Sequence, residues 1–209
     1  MDRVRQNGGT FGIISAVVLA ILFIMVFTSG LTPEVAADPA RALALIKESG
    51  SRWTLTGVLG VLGSLLAIIF VVGLYRALRE KAPTRAYTVL LFGVLGSGGY
   101  ALSSLVQWLG GAQVAGTADP VAAAHAWVAV NAISASVTGF GNAGVGAASL
   151  IAGWAITATR ALSAGVGWLA VLAGIVSLLG LFTANAAVFV GSFVLTIIFL
   201  AWAGFELRR

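Results

Sequence analysis

The stretch WTLTGVLGVLGSLLAIIFVVGLY at positions 53–75, followed by RALREKAPTR at positions 76–85, decides the fold of this chain. The first segment has no charged side chain, whereas the second carries four cations and a proline. A bilayer core of about 30 Å is crossed by about 20 helical residues. The two segments together therefore predict a membrane-spanning helix that ends at a cationic loop beside the membrane.

The same alternation of apolar stretch and polar gap recurs along the whole chain. Six stretches are long enough to cross a bilayer. They cover residues 10–29, 53–75, 86–109, 129–157, 165–183 and 188–205. We therefore predict an all-α integral membrane protein with six transmembrane helices, and a single transmembrane helical domain over residues 1–209.

The cations indicate the orientation of these helices, because Lys and Arg in short loops stay in the cytoplasm. Nine of the twelve lie on one set of flanks, at Arg3, Arg5, Arg76, Arg79, Lys81, Arg85, Arg160, Arg208 and Arg209. The other flanks carry Arg41, Lys47 and Arg52. This asymmetry predicts a multi-pass protein of the bacterial inner (plasma) membrane with both termini in the cytoplasm.

The composition agrees with a membrane environment. Apolar residues make up 59% and charged residues 9% of the chain, against about 25% charged residues in a soluble domain. The net charge of +5 comes from cations that flank spans, so we expect membrane lipids as partners and no nucleic acid. The chain has no Cys, which excludes disulfides, thiolate metal sites and cysteine nucleophiles.

The longest polar connection, residues 30–52, begins with the helix-start signal Thr32-Pro33-Glu34. We predict that it contains a short extracytoplasmic amphipathic helix between transmembrane helices 1 and 2. This helix either lies along the membrane surface or forms a solvated loop helix. Residues 110–120, rich in Gly and Ala, predict a flexible loop, and a separate outer helix or a bend is expected before the fourth span.

The fourth span carries polar residues at helical intervals, which would form one stripe. They are Asn131, Ser134, Thr138, Asn142 and Ser149. An unsatisfied polar side chain is costly in hydrocarbon, so the stripe must face other helices or a water-filled cavity. It is therefore either a hydrogen-bonded packing seam or the lining of a small-molecule or ion pathway.

Small residues also recur in the second and third spans. The candidate helix-packing glycines are Gly57, Gly60, Gly63, Gly93 and Gly96. Glycine at such spacing lets helix backbones approach closely in a membrane. The contacts are either within one bundle or with another subunit or a second copy of the chain.

The residues that usually carry chemistry are scarce. His125 is the only histidine, and one histidine cannot supply the three protein ligands of a catalytic zinc site. The six spans contain no Asp, Glu, Lys or Arg, which argues against acid/base catalysis and proton coupling within the membrane. We therefore predict no catalytic residue, cofactor or metal. The six Trp residues are expected mostly in belts near the membrane surface.

The order of parts resembles bacterial six-span proteins of the domain-of-unknown-function family numbered 4386. The resembling parts are Arg3-Val4-Arg5, Asp38-Pro39, Leu74-Tyr75-Arg76-Ala77-Leu78, the glycine-containing span after His125, and Arg208-Arg209. The resemblance covers nearly the whole chain. It implies a fold and no activity.

Two functional hypotheses follow from the sequence. The first is a non-enzymatic integral membrane protein that serves as a structural or accessory subunit of a membrane complex. The alternative is a carrier of a small molecule or lipid that uses the polar stripe of the fourth span.

Overall fold

The computed structural model describes residues 2–183 and 185–209, and these residues form helices and no strand. The helices are α1 (Arg3–Phe27), α2 (Pro33–Ala37), α3 (Pro39–Ser49), α4 (Ser51–Leu78), α5 (Pro83–Ser104), a π-helical turn (Leu105–Gly110), α6 (Gly111–Ala115), α7 (Pro120–Thr159), α8 (Ala164–Leu179) and α9 (Ala186–Arg208). The described part of the chain is thus all-helical.

Local sequence explains where several helices begin. Asp38 precedes Pro39, and its carboxylate accepts a hydrogen bond of 3.0 Å from the backbone N–H of Ala40. Asp119 precedes Pro120 and accepts a bond of 2.9 Å from Val121 in the same way. A carboxylate cap satisfies a free N–H, and proline suits the first helical position because it has no N–H to leave unpaired.

Five helical segments are long and apolar enough to cross a membrane. They are Arg3–Phe27, Ser51–Leu78, Pro83–Ala115, Pro120–Thr159 and Ala187–Arg208. Helix α8 is apolar but has only 16 residues, which gives a length of about 24 Å, less than the bilayer core of about 30 Å. The predicted fifth span, residues 165–183, is therefore shorter in the structure, since its helix ends at Leu179.

Six helices form a closed ring in chain order. Each of α1, α4, α5, α7, α8 and α9 packs against the next, and α9 packs against α1. The closure of α1 on α9 depends on small residues, because a methyl group on Gly9 would lie 2.5 Å from the carbonyl oxygen of Gly204. At the same end Arg5 donates to the Glu206 carbonyl at 3.4 Å.

Two expectations about connections are wrong in part: the extent of the flexible loop and the separate outer helix. Residues 110–115 do not belong to a flexible loop, because the helical chain continues from α5 through the π-helical turn and α6 to Ala115, and only residues 116–119 connect α6 to α7. Trp108 and Ala115 are buried in a cluster with Ala42 and Ile46 of α3, so tertiary packing holds this glycine-containing segment helical. In addition, no separate outer helix precedes the fourth span in the described residues, since Pro120–Thr159 is one helix of 40 residues.

Three of the six tryptophans do not form a belt. Trp53, Trp108 and Trp127 are 1%, 8% and 0% exposed. The ring centroids of Trp53 and Trp108 are 4.3 Å apart. The Trp53 indole donates to the Trp108 carbonyl at 2.7 Å, and the Trp127 indole donates to the Ala36 carbonyl at 2.9 Å. With α2, α3 and α6 these side chains form an outer cap over one end of the ring.

Candidate functional site

A cavity of about 220 Å³ lies inside the helical ring. Described residues of α1, α4, α5, α7 and α9 line it, with Trp108 from the π-helical turn, and none of those that line it is charged. An engineered apolar cavity of about 150 Å³ is large enough to bind benzene. The cavity therefore has room for an apolar group somewhat larger than a benzene ring.

The cavity is closed at the end nearer the chain termini. Phe70 of α4 and Phe199 of α9 meet edge to face, with ring centroids 5.7 Å apart. Both rings are almost fully buried, as are Leu74 and Val89 beside them. These side chains belong to the main apolar core, which also includes Leu200. These buried apolar side chains form the floor of the cavity at that end.

The opposite end of the cavity reaches the molecular surface between α1 and α9. Among the described residues that line the cavity, only Phe27 and Phe189 are exposed at the surface, at 58% and 45%. Next to them Phe23 and Phe193 stack with ring centroids 5.4 Å apart. We refer to these four rings as the aromatic mouth. Phe27 and Phe189 are exposed and Phe23 and Phe193 are half-buried, so the mouth gives this end of the cavity an apolar edge.

The polar stripe of α7 lies mainly against α5. The Ser103 hydroxyl is 3.0 Å from the Ser134 hydroxyl and 2.6 Å from that of Thr138. The Tyr100 hydroxyl donates to the side-chain oxygen of Asn142. These bonds form a packing seam of the kind that joins helices in membranes.

The two ends of the stripe lie elsewhere. The Asn131 amide is within 3.4 Å of the Ala36 carbonyl, so it contacts the outer cap. Ser149 is buried and lines the cavity, and Thr138 lines the cavity as well as the seam. One face of α7 thus contributes both to a hydrogen-bonded seam and to the cavity wall.

The candidate packing glycines contact neighbouring helices of the same chain. A methyl group on Gly57 would lie 2.6 Å from the Trp108 β-carbon, and one on Gly63 would lie 2.7 Å from Leu19. The remaining three are equally confined. A methyl group on Gly60 would lie 2.9 Å from Ser104, one on Gly93 would lie 2.8 Å from Val71, and one on Gly96 would lie 2.8 Å from Gly144. These five positions therefore hold the ring together and leave no room for a helix from another subunit.

Sequence reasoning did not single out several hydroxyl groups of the cavity. Ser97 and Tyr100 of α5 line it, as do Ser192 and Thr196 of α9. Ser97 stands among glycines, where the sequence indicates close packing rather than a binding group. The hydroxyls of α9 are two residues in a long apolar helix, and only the closure of the ring brings them opposite α7.

The site offers hydroxyl groups and aromatic rings in an apolar cavity. Its described lining has no acid, base or cation to transfer a proton or to neutralise a charged substrate. His125 is exposed near the outer end of α7, away from the cavity lining. The described residues contain no group of three or more His, Asp or Glu residues placed to hold a metal ion. The arrangement is suited to binding an uncharged, largely apolar molecule.

No family model, curated protein or solved structure matches the chain. The resemblance to the family numbered 4386 therefore stays a prediction, and the functional argument depends on the geometry of the cavity.

Proposed function

We propose that the chain is a six-span protein of the bacterial inner membrane that binds a small apolar molecule or a lipid chain inside its ring of helices, without catalysing a reaction. Helix α8 is the fifth span, and the turn that follows it makes up the missing length. An even number of spans agrees with the cations, which place Arg3 and Arg208 on the same, cytoplasmic side. Residues 33–49 and the outer cap then lie outside the cytoplasm.

Cysteine labelling tests this topology directly, because the natural chain has no Cys. Ala40→Cys and Glu80→Cys introduce single thiols at exposed positions of α3 and of the loop after α4. An impermeant maleimide added to whole spheroplasts should label position 40 and leave position 80 unlabelled until the membrane is opened. Labelling of both positions in intact spheroplasts would contradict the proposed orientation.

The cavity is the observation that carries the binding role. Small-molecule sites in helical bundles are usually preformed apolar cavities between helices, and this cavity is walled by five helices with the aromatic mouth at one end. Its volume of about 220 Å³ is below the roughly 300–1,000 Å³ of drug-sized sites, so it suits a small ligand. The mouth between α1 and α9 would give lateral access from the bilayer, where apolar molecules concentrate. These features favour the carrier hypothesis from the sequence, with the site formed by residues of five helices and not by α7 alone.

The test is to fill the cavity and measure what the protein retains. Ala148 is 6% exposed and lines the cavity, so Ala148→Phe should occupy part of it. Ala135→Phe is the matched control, because Ala135 is an exposed position on the same helix. Mass spectrometry of protein purified in lipid nanodiscs should find one apolar compound enriched over the bulk lipid with the natural chain and the control. The enrichment should be lost with Ala148→Phe, and equal enrichment in all three would contradict the proposal.

One observation favours the accessory-subunit hypothesis as a second candidate. A shallow groove between α5 and α7 is lined by Leu95, Gly98, Leu102 and Phe140, and a methyl group on Gly98 or Gly139 would meet nothing within 4 Å. A helix of another subunit would fit there. Gly98→Leu should then remove a co-purifying partner while the isolated chain keeps its thermal stability, and an unchanged complex would count against this candidate.

A further inference from the structure

Two buried hydroxyl groups face the cavity without a partner. Ser97 of α5 and Ser149 of α7 are 4% and 6% exposed, and both line the cavity. Neither hydroxyl has a hydrogen-bond partner within residues 2–183 and 185–209. Both residues are buried, but their oxygens stay accessible from the cavity, because Arg5 Nε is the one sealed side-chain polar atom without a partner among the described residues. Polar groups inside proteins nearly always have a partner. These two positions therefore need an explanation.

The neighbouring hydroxyls show that partners within the helices are available. Ser64 of α4 donates to the Gly60 carbonyl one turn earlier, at 2.8 Å. Ser192 of α9 lies 2.6 Å from the Ser177 hydroxyl of α8. Ser97 and Ser149 could also donate to a carbonyl one turn earlier, but they do not. Their hydroxyls are left for a group inside the cavity.

The packing of α5 and α7 keeps the two serines from pairing with each other. The helices run antiparallel with Gly96 against Gly144, where a methyl group on Gly144 would lie 2.6 Å from the Gly96 α-carbon. In this register Ser149 lies six residues beyond the level of Ser97, about 9 Å along the helix axis. The hydroxyls are thus two separate polar points on one wall of the cavity.

The surroundings determine which chemical group can bind there. A serine hydroxyl both donates and accepts a hydrogen bond, so it can pair with a carbonyl or with another hydroxyl. A carboxylate or ammonium group would be buried without a counter-charge, because the described lining has no charged side chain. The remaining groups are uncharged oxygen groups on an apolar body.

We propose that Ser97 and Ser149 form a polar subsite in which either hydroxyl, but not both at once, hydrogen-bonds the uncharged hydroxyl or carbonyl oxygen of an otherwise apolar ligand. This inference rests on the proposed binding function and names its ligand class as neutral, oxygen-bearing and lipid-soluble. The apolar part of the ligand lies against Phe70, Phe199 and the neighbouring aliphatic side chains. The oxygen group selects this ligand over a plain hydrocarbon of the same length.

The test compares two probes that differ only in the oxygen, 1-octanol and n-octane. Their apparent affinities are measured from the thermal stabilisation of the protein in lipid nanodiscs. Each probe is compared between variants in the same lipid. The fraction of the probe that dissolves in the bilayer is then the same for every variant and does not affect the comparison. Because the single oxygen of 1-octanol reaches one serine at a time, one of the variants Ser97→Ala and Ser149→Ala should weaken 1-octanol binding about three- to tenfold, the effect of one lost hydrogen bond. Both variants should leave n-octane binding within twofold. Ser136→Ala, on the exposed side of α7, is the matched control.

The possible results separate the subsite from the cavity. The inference is overturned if neither serine variant changes the preference for 1-octanol, or if both probes weaken equally. In that case, stabilisation of the natural chain by n-octane, abolished by Ala148→Phe, would still support the binding function. If neither probe stabilises the natural chain, both proposals fail. The ligand-free serine variants should melt no lower than the natural chain, because neither substitution removes a hydrogen bond within the described part of the chain.

Discussion

At the residue scale, the glycines of α5 divide into those that touch another helix and those that do not. Gly96 lies against the backbone of α7, whereas a methyl group on Gly98 would meet nothing within 4 Å. The two residues are only two positions apart and point to different sides of the helix. Adding a methyl group at the contact between Gly96 and Gly144 should therefore lower stability, whereas adding one at Gly98 should not.

We expect Gly144→Ala to lower the free energy of unfolding by about 1–3 kcal/mol, the usual cost of overpacking. Its new methyl group would lie 2.6 Å from the Gly96 α-carbon, and backbone cannot move aside as a flexible side chain can. Gly98→Ala should be neutral or stabilising by up to about 1 kcal/mol, because alanine favours the helix. Reversible unfolding in mixed micelles measures the free energy of unfolding of both variants. Equal destabilisation by Gly144→Ala and Gly98→Ala would contradict the difference in their surroundings.

The residue scale also shows how far the sequence predicts the site. The helical spacing of Ser134, Thr138 and Asn142 is sufficient to predict a shared face that needs polar partners. The identity of those partners, Tyr100 and Ser103, depends on the register of α5 against α7. The unpaired state of Ser97 could not be predicted, because a serine beside glycines has the same local sequence whether or not its hydroxyl finds a carbonyl.

At the element scale, the outer cap shows that a short amphipathic helix can have a structural role. Helices α2 and α3 cover Trp53 and Trp127, and the Ala36 carbonyl accepts bonds from Trp127 and Asn131. The sequence predicts a helix after Thr32 from its start signal. It predicts that the tryptophans lie in a surface belt, because a belt is their usual position in a membrane protein. Their contacts with α3 join distant parts of the chain, so the local sequence does not reveal them.

Trp127→Phe should loosen this cap. The substitution keeps most of the aromatic surface but removes the hydrogen bond of 2.9 Å to Ala36. A net loss of about 1 kcal/mol raises local opening about fivefold. Hydrogen exchange over residues 33–49, measured by mass spectrometry, should speed up by that factor. Trp168→Phe is the control, because Trp168 is 67% exposed, and an equal acceleration by both variants would contradict a specific role for Trp127.

At the scale of the whole molecule, the ring order connects the first helix to the last. The sequence predicts six apolar stretches, since apolar length is a local property, and the described part of the structure has five helices long enough to cross a membrane and the shorter apolar helix α8. The sequence does not predict that α1 lies between α4 and α9, because this arrangement depends on surface shape at Gly9, Gly204 and similar close contacts. The cavity exists only because the ring closes, so it too could not be read from any single segment.

Helices α1 and α9 meet through glycine backbone at one end and through aromatic side chains at the other. This difference predicts where a ligand enters and leaves the cavity. Near the termini, Gly9 and Gly204 bring α1 and α9 into backbone contact. At the mouth, the two helices meet through the rings of Phe23 and Phe193, with Phe27 and Phe189 exposed beside them. Side chains can rotate without moving the helices, so the mouth is the end at which a ligand should enter and leave.

We therefore expect Phe27→Ala with Phe189→Ala to accelerate ligand release more than it weakens binding. Removing two rings from the mouth leaves the floor at Phe70 and Phe199 unchanged, so most contacts with a bound ligand remain. Lowering the barrier by about 1.4 kcal/mol would speed release roughly tenfold. Stopped-flow displacement of an apolar fluorescent dye by n-octane, in nanodiscs, measures the rate. Phe205→Ala, an exposed position at the other end of α9, should leave the rate unchanged. If the double variant released the dye at the natural rate, the ligand would have to pass between another pair of helices.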